Sequence, residues 1–335
     1  MIKIAVVILN WNGKDLLAKF LPSIVKYSNP TISSIYVVDN ASTDDSILFI
    51  QQQFPSIQII KNPENGGYAK GYNDGLKNLN ADIFALVNSD VEVTENWLEP
   101  IIEHFNQHPN TAIIQPKILD YKNPQFFEYA GAAGGFIDQF GYPFCSGRIF
   151  DTVENDVSQY ENITNIFWAS GACFFVRAEV FKQLNGFDAS YFAHQEEIDF
   201  CWRAKNFGFD IKYMPKSVVY HVGGATLSAS NPKKTFLNFR NNLTTLLKNL
   251  PANKVVGIIF IRLVLDGIAG IKFLIELKPT HTFAIVKAHF SFYSHVSKNW
   301  KKRKETPQKI SEYYYIKSIV YQYYIKKKKF FSNLF

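Results

Sequence analysis

Five titratable side chains sit where chemistry could use them. Asp39 closes the run SIYVVD (34–39), and Asp90 closes LVNSD (86–90). Glu196 and Glu197 stand side by side ahead of a helical pattern, and His221 ends VVYH (218–221) before two glycines. A carboxylate at the end of a buried strand is aimed into the crevice beyond the strand's carboxyl end, where ligands of open α/β sheets bind. One carboxylate there can hold a divalent cation, and the cation can hold a diphosphate. Adjacent acids at a helix start point about 100° apart, so one can face a site while the other anchors a loop. Their proximity and burial raise a pKa toward the range a general base needs. His221 is a candidate further cation ligand. Each feature alone has a plainer explanation: Asn88-Ser89-Asp90 as a turn and helix cap, and the acid pair as a complement to a helix macrodipole.

These residues need a scaffold. Residues 2–9 (IKIAVVIL), 34–39, 57–60 and 82–87 are short β-branched or apolar runs, as expected of strands buried on both faces. Helical patterns fall between them, over 14–27, 43–53 with Ser42 or Thr43 as N-cap, and from Asn65-Gly66-Gly67 to about 79. This β-α rhythm predicts a mostly parallel sheet with helices on both faces. Its strand tips are polar or glycine-rich: Asn10, Asp39, Asn65-Gly66-Gly67 and Asn88-Ser89-Asp90. Four such tips at one edge suggest a site. Asp39 is placed to meet a ribose hydroxyl or a base. Gly66, Gly67 and Gly71 let the backbone approach a phosphate at a helix N-terminus, although no GxxxxGK[ST] loop is present. Oxygen-rich ligands shared with a substrate suit Mg²⁺ or Mn²⁺. Beyond this core the pattern predicts a helix over 97–108, a strand over 112–119, loops and short strands over 121–159, and a strand within 166–177. Helices over 178–184 and 195–207 and two late strands, 211–214 and 218–221, complete it.

The chain has 335 residues, 47% of them apolar, with a net charge of +7. The charge is uneven. From residue 280 onward, 12 Lys or Arg face 2 Glu, which leaves about −3 for the rest. A mildly acidic body argues against a nucleic-acid groove. Three cysteines without a CxxC argue for reduced thiols in a cytosolic protein, against a disulfide framework and a zinc site, with Cys173 a core residue. Residues 2–9 are too short for a signal peptide. Residues 255–277 are apolar and long, but Lys254, Arg262, Asp266, Lys272 and Glu276 share one arc of about 120° at helical spacing. That pattern predicts an amphipathic helix in a membrane interface or packed on the main domain, with the charges exposed, rather than a spanning helix. Two basic clusters, 298–304 and 326–329, lie beside aromatics and suit an anionic membrane surface. The expected division is a catalytic domain over 1–240 and a helical, basic extension over 241–335.

Seven segments occur in an order that resembles the family-2 glycosyltransferases, and among them the rhamnosyltransferase-like bacterial members. They are VVILNWNG (6–13), VVDNASTD (37–44), NPENGGYAKGYNDG (62–75), LVNSDVEV (86–93), WASGACFFVRAEVF (168–181), GFDASYFAHQEEIDFCWR (186–203) and VYHVGG (219–224). The resemblance implies a GT-A fold, a nucleotide-sugar donor such as dTDP-rhamnose or a UDP-sugar, a divalent cation, and inversion at the anomeric carbon. The basic tail fits a hydroxyl acceptor on a cell-surface glycan or a polyprenyl-diphosphate-linked precursor, at the cytoplasmic face of a membrane. Carried over, Asp39 contacts the nucleoside with Asn10 beside it. Asn65, Gly66 and Asn73 match the nucleotide-side loop, and Trp168 joins the donor-binding set. Asp90 matches the metal-bound last acid of the DxD motif, whose first position is Asn88 here. His221 matches a histidine that often completes the metal site. Glu197 takes the position of the base, one methylene longer than the usual Asp, with Glu196 before it, and Lys70 stands where small residues are usual. A sugar nucleotidyltransferase would want a glycine-rich basic loop after the first strand, where Asn10-Trp11-Asn12-Gly13 stands. A non-catalytic glycan-binding or scaffold protein of the same fold would be expected to lose the acids, all of which are present.

Overall fold

The structure is a computed structural model that describes residues 2–223, 231–306 and 309–334. Strands β1 (Ile4–Asn10), β2 (Ser33–Asp39), β3 (Gln58–Lys61) and β4 (Ile83–Asn88) alternate with helices α1 (Lys14–Tyr27), α2 (Ser46–Gln53) and α3 (Gly67–Leu76). The strands run parallel in the order β4-β1-β2-β3. The apolar runs of β1 and β4 are buried on both faces, while β3, at the sheet edge, is half-buried or exposed. Ile4, Val6 and Ile8 meet Leu17, Leu21 and Ile24 of α1, whereas Ala5 and Val7 share a cluster with Tyr72 and Leu76 of α3. Helix α2 starts at Ser46, after Asp45 rather than at Ser42 or Thr43, and no side chain caps it. The Ser42 hydroxyl is already engaged by Asn10 and by the Asn12 amide.

The sheet then departs from simple alternation. After β5 (Val91–Val93) and α4 (Glu99–Gln107), the chain forms β6 (Thr111–Asp120). The region expected to hold loops and short strands contains a separate four-stranded antiparallel sheet: β7 (Gly135–Ile137), β8 (Pro143–Cys145), β9 (Arg148–Ile149) and β10 (Thr152–Val153). Next come β11 (Thr164–Asn165), β12 (Cys173–Arg177), α5 (Ala178–Gln183), α6 (Glu196–Asn206) and β13 (Asp210–His221). Strand β12 inserts antiparallel between β4 and β6. The two expected late strands are one strand, β13, whose register slips between Met214 and Val218. Pro215 lies in that interval and has no N–H to give the ladder.

Helix α7 (Pro232–Asn249) runs through residue 240, and α8 (Ala252–Ile275) and α9 (Pro279–Arg303) follow it. Leu243, Leu246, Leu247 and Leu250 join the same hydrophobic cluster as the sheet, as do Tyr313, Ile319, Phe331 and Leu334 near the chain end. Tyr313 stacks on Trp202 of α6 at 5.1 Å. Of the charges expected to be exposed on α8, Lys272 and Glu276 are so, but the middle of the helix is turned the other way. Arg262 and Asp266 are buried, and the apolar side of the helix faces out. Arg262 donates to the Phe140 carbonyl at 3.0 Å, to Asn242 Oδ1 at 2.6 Å and to Asp266 Oδ1 at 3.2 Å, and it lies over the Tyr142 ring. His289 of α9 meets the other Asp266 oxygen at 3.2 Å. A buried ion pair is tolerated when its remaining hydrogen-bonding capacity is met, which this network largely does. No described helix is long and apolar enough to cross a membrane.

Candidate active site

Sheet register brings the polar tips together. Asn10 pairs with Asp39, Asp39 with Lys61, and Leu9 with Asn88. Asp39 is buried. Its carboxylate accepts from Asn10 Nδ2 at 3.1 Å and from the Ser42 amide at 3.0 Å. Asn10 Oδ1 is buried and has no partner among the described residues, so an acceptor beside Asp39 is left for a ligand N–H or O–H. Asn65 accepts from the Gly67 amide and from Asn40 Nδ2, both at 3.0 Å, and thereby fixes the entry to α3, of which Gly66 is the N-cap. Asn88 ends β4 half-buried, its amide donating to the Ala172 carbonyl at 2.9 Å.

Strand β5 brings the next pair together. Val91 pairs with His221 at the end of β13, so Asp90 and His221 meet although 131 residues separate them. His221 Nε2 lies 3.1 Å from Asp90 Oδ1. On its other side Nδ1 lies 3.3 Å from Glu128 Oε1, an ion-pair separation rather than an aligned hydrogen bond. All three are buried. Burial alone would lower the imidazole pKa, but Glu128 and Asp90 outweigh it and push it up to about 10. Glu128 was not legible in the sequence; it arrives on a loop whose amide bonds to the Ile118 carbonyl of β6. Among the described residues no group of three or more His, Cys, Asp or Glu could hold a metal ion by itself. The donor set nevertheless suits a shared cation. Two buried carboxylates flank a proton-bearing ring, and a divalent ion replacing that proton would balance their charge, with a diphosphate completing its shell. Glu128 would then hold Nδ1 and leave Nε2 free to ligate.

The acid pair follows a strained turn. Phe192, His194 and Gln195 all have positive φ, 64°, 69° and 73°. Each such residue costs about 1–3 kcal/mol, which the surroundings must offset. The neighbours do so. Asn241 Nδ2 of α7 lies within hydrogen-bond distance of the carbonyls of Tyr191, Ala193 and His194, at 3.2, 3.0 and 2.7 Å. Arg240 holds the Ser190 and Tyr191 carbonyls. The Tyr68 amide donates to the Phe192 carbonyl at 2.8 Å, and a Cβ on Gly67 (φ 76°) would collide with that same oxygen. The turn is thus clamped between α3 and α7. Glu196 is buried and Glu197 half-buried, and each keeps one carboxylate oxygen without a partner among the described residues. Burial, then the neighbouring Glu197, raises the Glu196 pKa well above the carboxylate range; burial raises Glu197 to about 7. Tyr68 lies close enough to feel both acids, and its hydroxyl donates to the Gly171 carbonyl at 2.8 Å, next to the residue that pins Asn88. Asp199 is separate: Arg203, Lys248 and Asn249 saturate it.

Two expected donor-site residues have structural partners instead. Asn73 spends both ends of its amide on the backbone N–H and C=O of Phe187, which anchors the start of the acid-bearing segment. Trp168 is buried against Gly135, with its indole N–H on the Phe136 carbonyl at 2.9 Å. Of the loop 222–224, Gly224 lies outside the described residues.

The profile of glycosyl transferase family 2 matches residues 5–184. An N-acetylglucosaminyl-diphospho-decaprenol L-rhamnosyltransferase of Mycobacterium tuberculosis is 24% identical over 234 residues, covering 64% of this chain and 75% of that protein. Among solved structures, GalNAc-T7 with UDP, GalNAc and Mn²⁺ superposes with a TM-score of 0.61 at 14% identity, over 90% of this chain and 58% of that one. The mannosyltransferase PcManGT of Pyrobaculum calidifontis, in complex with GDP-Man and Mn²⁺, gives 0.53 at 13% identity, over 91% and 85%.

Proposed function

The chain belongs to glycosyl transferase family 2, and from that premise we propose an inverting, metal-dependent transferase. It moves a sugar from a nucleotide-diphosphate donor, dTDP-rhamnose or a UDP-sugar, to a hydroxyl of a cell-surface glycan or a polyprenyl-diphosphate-linked precursor. It works in the cytoplasm, peripherally at the inner face of the membrane. The likeness to an enzyme named for a diphospho-decaprenol acceptor supports the lipid-linked acceptor. Asp39 and the open Asn10 oxygen receive the nucleoside. Asp90 and His221 hold the cation, Mn²⁺ or Mg²⁺, which when bound neutralises charge on the leaving diphosphate.

Glu197 is the general base, because it is the more accessible acid of the pair and its pKa lies near neutrality. Its carboxylate takes the acceptor hydroxyl proton. The freed oxygen attacks the anomeric carbon from the face opposite the diphosphate, and the bond to the diphosphate breaks with its electron pair. The transition state is oxocarbenium-like, as in glycoside chemistry generally. Glu196, more deeply buried, stays protonated beside it and keeps a second negative charge away.

The observation that carries this assignment is the acid pair itself: partner-free carboxylate oxygens held on a strained turn against α3, the helix that opens at the Asn65-Gly66 tip. A nucleotide-sugar panel scored for donor hydrolysis, with and without Mn²⁺, tests it. One donor should turn over with the metal present; silence across the panel under both conditions rejects it.

A further inference from the structure

Helix α8 turns its two central charges, Arg262 and Asp266, inward. From residue 255 to 271 every residue that is not buried is apolar or glycine. Val256, Phe260, Val264 and Ile268 form one i,i+4 row that is 75, 68, 51 and 57% exposed. Beside it, α9 exposes Phe283 and Phe290, the latter by 70%. A soluble surface does not ordinarily carry so continuous an apolar strip. It also lies opposite the buried Arg262–Asp266–His289 network, so rotating the helix to hide the strip would break that network.

We propose that this two-helix face is the membrane-docking surface, and that it lies flat in the headgroup region of an anionic bilayer. Charge decides the occupant. Across α8 and α9 the single acid is Asp266, and it is buried. Lys287, Lys298, Lys301 and Lys304 are exposed, and at 100° per residue they fall within about 60° of Phe283 on the wheel. The apolar row runs along α8 from Val256 to Ile268, and the exposed lysines gather toward the end of α9. Tyr293 and Trp300, both partly exposed, sit where aromatic rings favour the interface. A second copy of the chain would set lysines against lysines, whereas anionic lipid answers them. The exposed lysines of the 298–304 cluster are therefore a flank of the docking surface, whose depth comes from α8. The inference extends the proposed lipid-linked acceptor, but it rests on surface chemistry and needs no donor.

The test is flotation of the full-length protein with phosphatidylglycerol-containing and pure phosphatidylcholine vesicles, alongside the Phe260→Asp/Ile268→Asp variant and the Lys298→Ala/Lys301→Ala/Lys304→Ala variant. The parent should float with the anionic vesicles. The aspartate variant should partition about tenfold or more weaker per position. The lysine variant should lose the salt-sensitive part, read between about 0.1 and 1 M salt. Donor hydrolysis without vesicles is read in parallel, so failure of the transferase assignment is seen separately. A parent that does not float, or an aspartate variant that floats like the parent, overturns the proposal. So does a parent that is dimeric without lipid while the aspartate variant is monomeric, because the face then belongs to a second copy.

Discussion

The carbonyl of His194 accepts a 2.7 Å hydrogen bond from the side chain of Asn241, so a helix that follows the last strand holds the turn ahead of the acid pair. Removing that amide leaves the Ala193 and His194 carbonyls without a side-chain donor, while Arg240 keeps the Tyr191 carbonyl and the Tyr68 amide keeps that of Phe192. Asn241→Ala should cost about 1–3 kcal/mol of stability, measured by denaturant titration. It should also lower kcat more than it raises the donor KM, because the acids, not the nucleoside tip, depend on the turn. An unchanged kcat in a folded variant would mean that the turn holds itself.

Glu197→Gln should reduce turnover by about 10²–10⁴-fold while leaving nucleotide binding within about twofold, compared by single-turnover assay and calorimetry. Near-normal turnover would transfer the role to Glu196. Asp199 cannot take it, since Arg203, Lys248 and Asn249 occupy its oxygens.

Turnover should rise with pH and level off above about 7, where Glu197 becomes a carboxylate. The sign for stability is opposite. A carboxyl whose folded pKa is raised binds its proton more tightly in the native state, so its contribution is complete below the ordinary carboxylate pKa and is lost as pH rises through about 7. A kcat profile that is flat between pH 5 and 9 would exclude Glu197 as the base.

Glu128→Ala should weaken Mn²⁺-dependent donor binding by about 10–100-fold, because His221 loses the carboxylate beside Nδ1. Asp90→Ala should abolish the metal dependence of binding altogether. Nucleotide affinity without metal should be unchanged in Glu128→Ala; calorimetry with and without Mn²⁺ separates the two terms. A Glu128 variant with parental Mn²⁺ dependence would leave His221 without an orienting partner of any consequence.

The first four strands were legible because each reads as a short apolar run, unbroken where the strand is buried, and their polar tips fell into register as expected. The short strands of the small sheet were expected only as a region; their positions and pairing were not legible, since strands of two or three residues carry no period. Helix α8 was recognised, but the facing of its middle was read backwards: a charged arc and an apolar arc are both visible in a sequence, and only packing decides which one turns inward. Glu128 and Asn241 carried no pattern at all. Each is a single polar residue whose meaning comes from a partner 93 or 47 positions away. The one available hint was Asn241-Asn242 lying in the helix just ahead of buried leucines.

Asp138 shows what the late packing implies for the life of the molecule. Its buried carboxyl accepts from the amides of Phe140 and Tyr142, and on its other oxygen from Ile319, which lies 181 residues further along. At roughly 5–20 residues per second, the ribosome delivers that last amide about 10–40 s after the carboxyl has emerged. Helix α8, with its outward strip, ends 44 residues before Ile319, so it is made before the contact that completes the Asp138 carboxyl. The outward strip is thus synthesised ahead of the segment that locks the late packing in place.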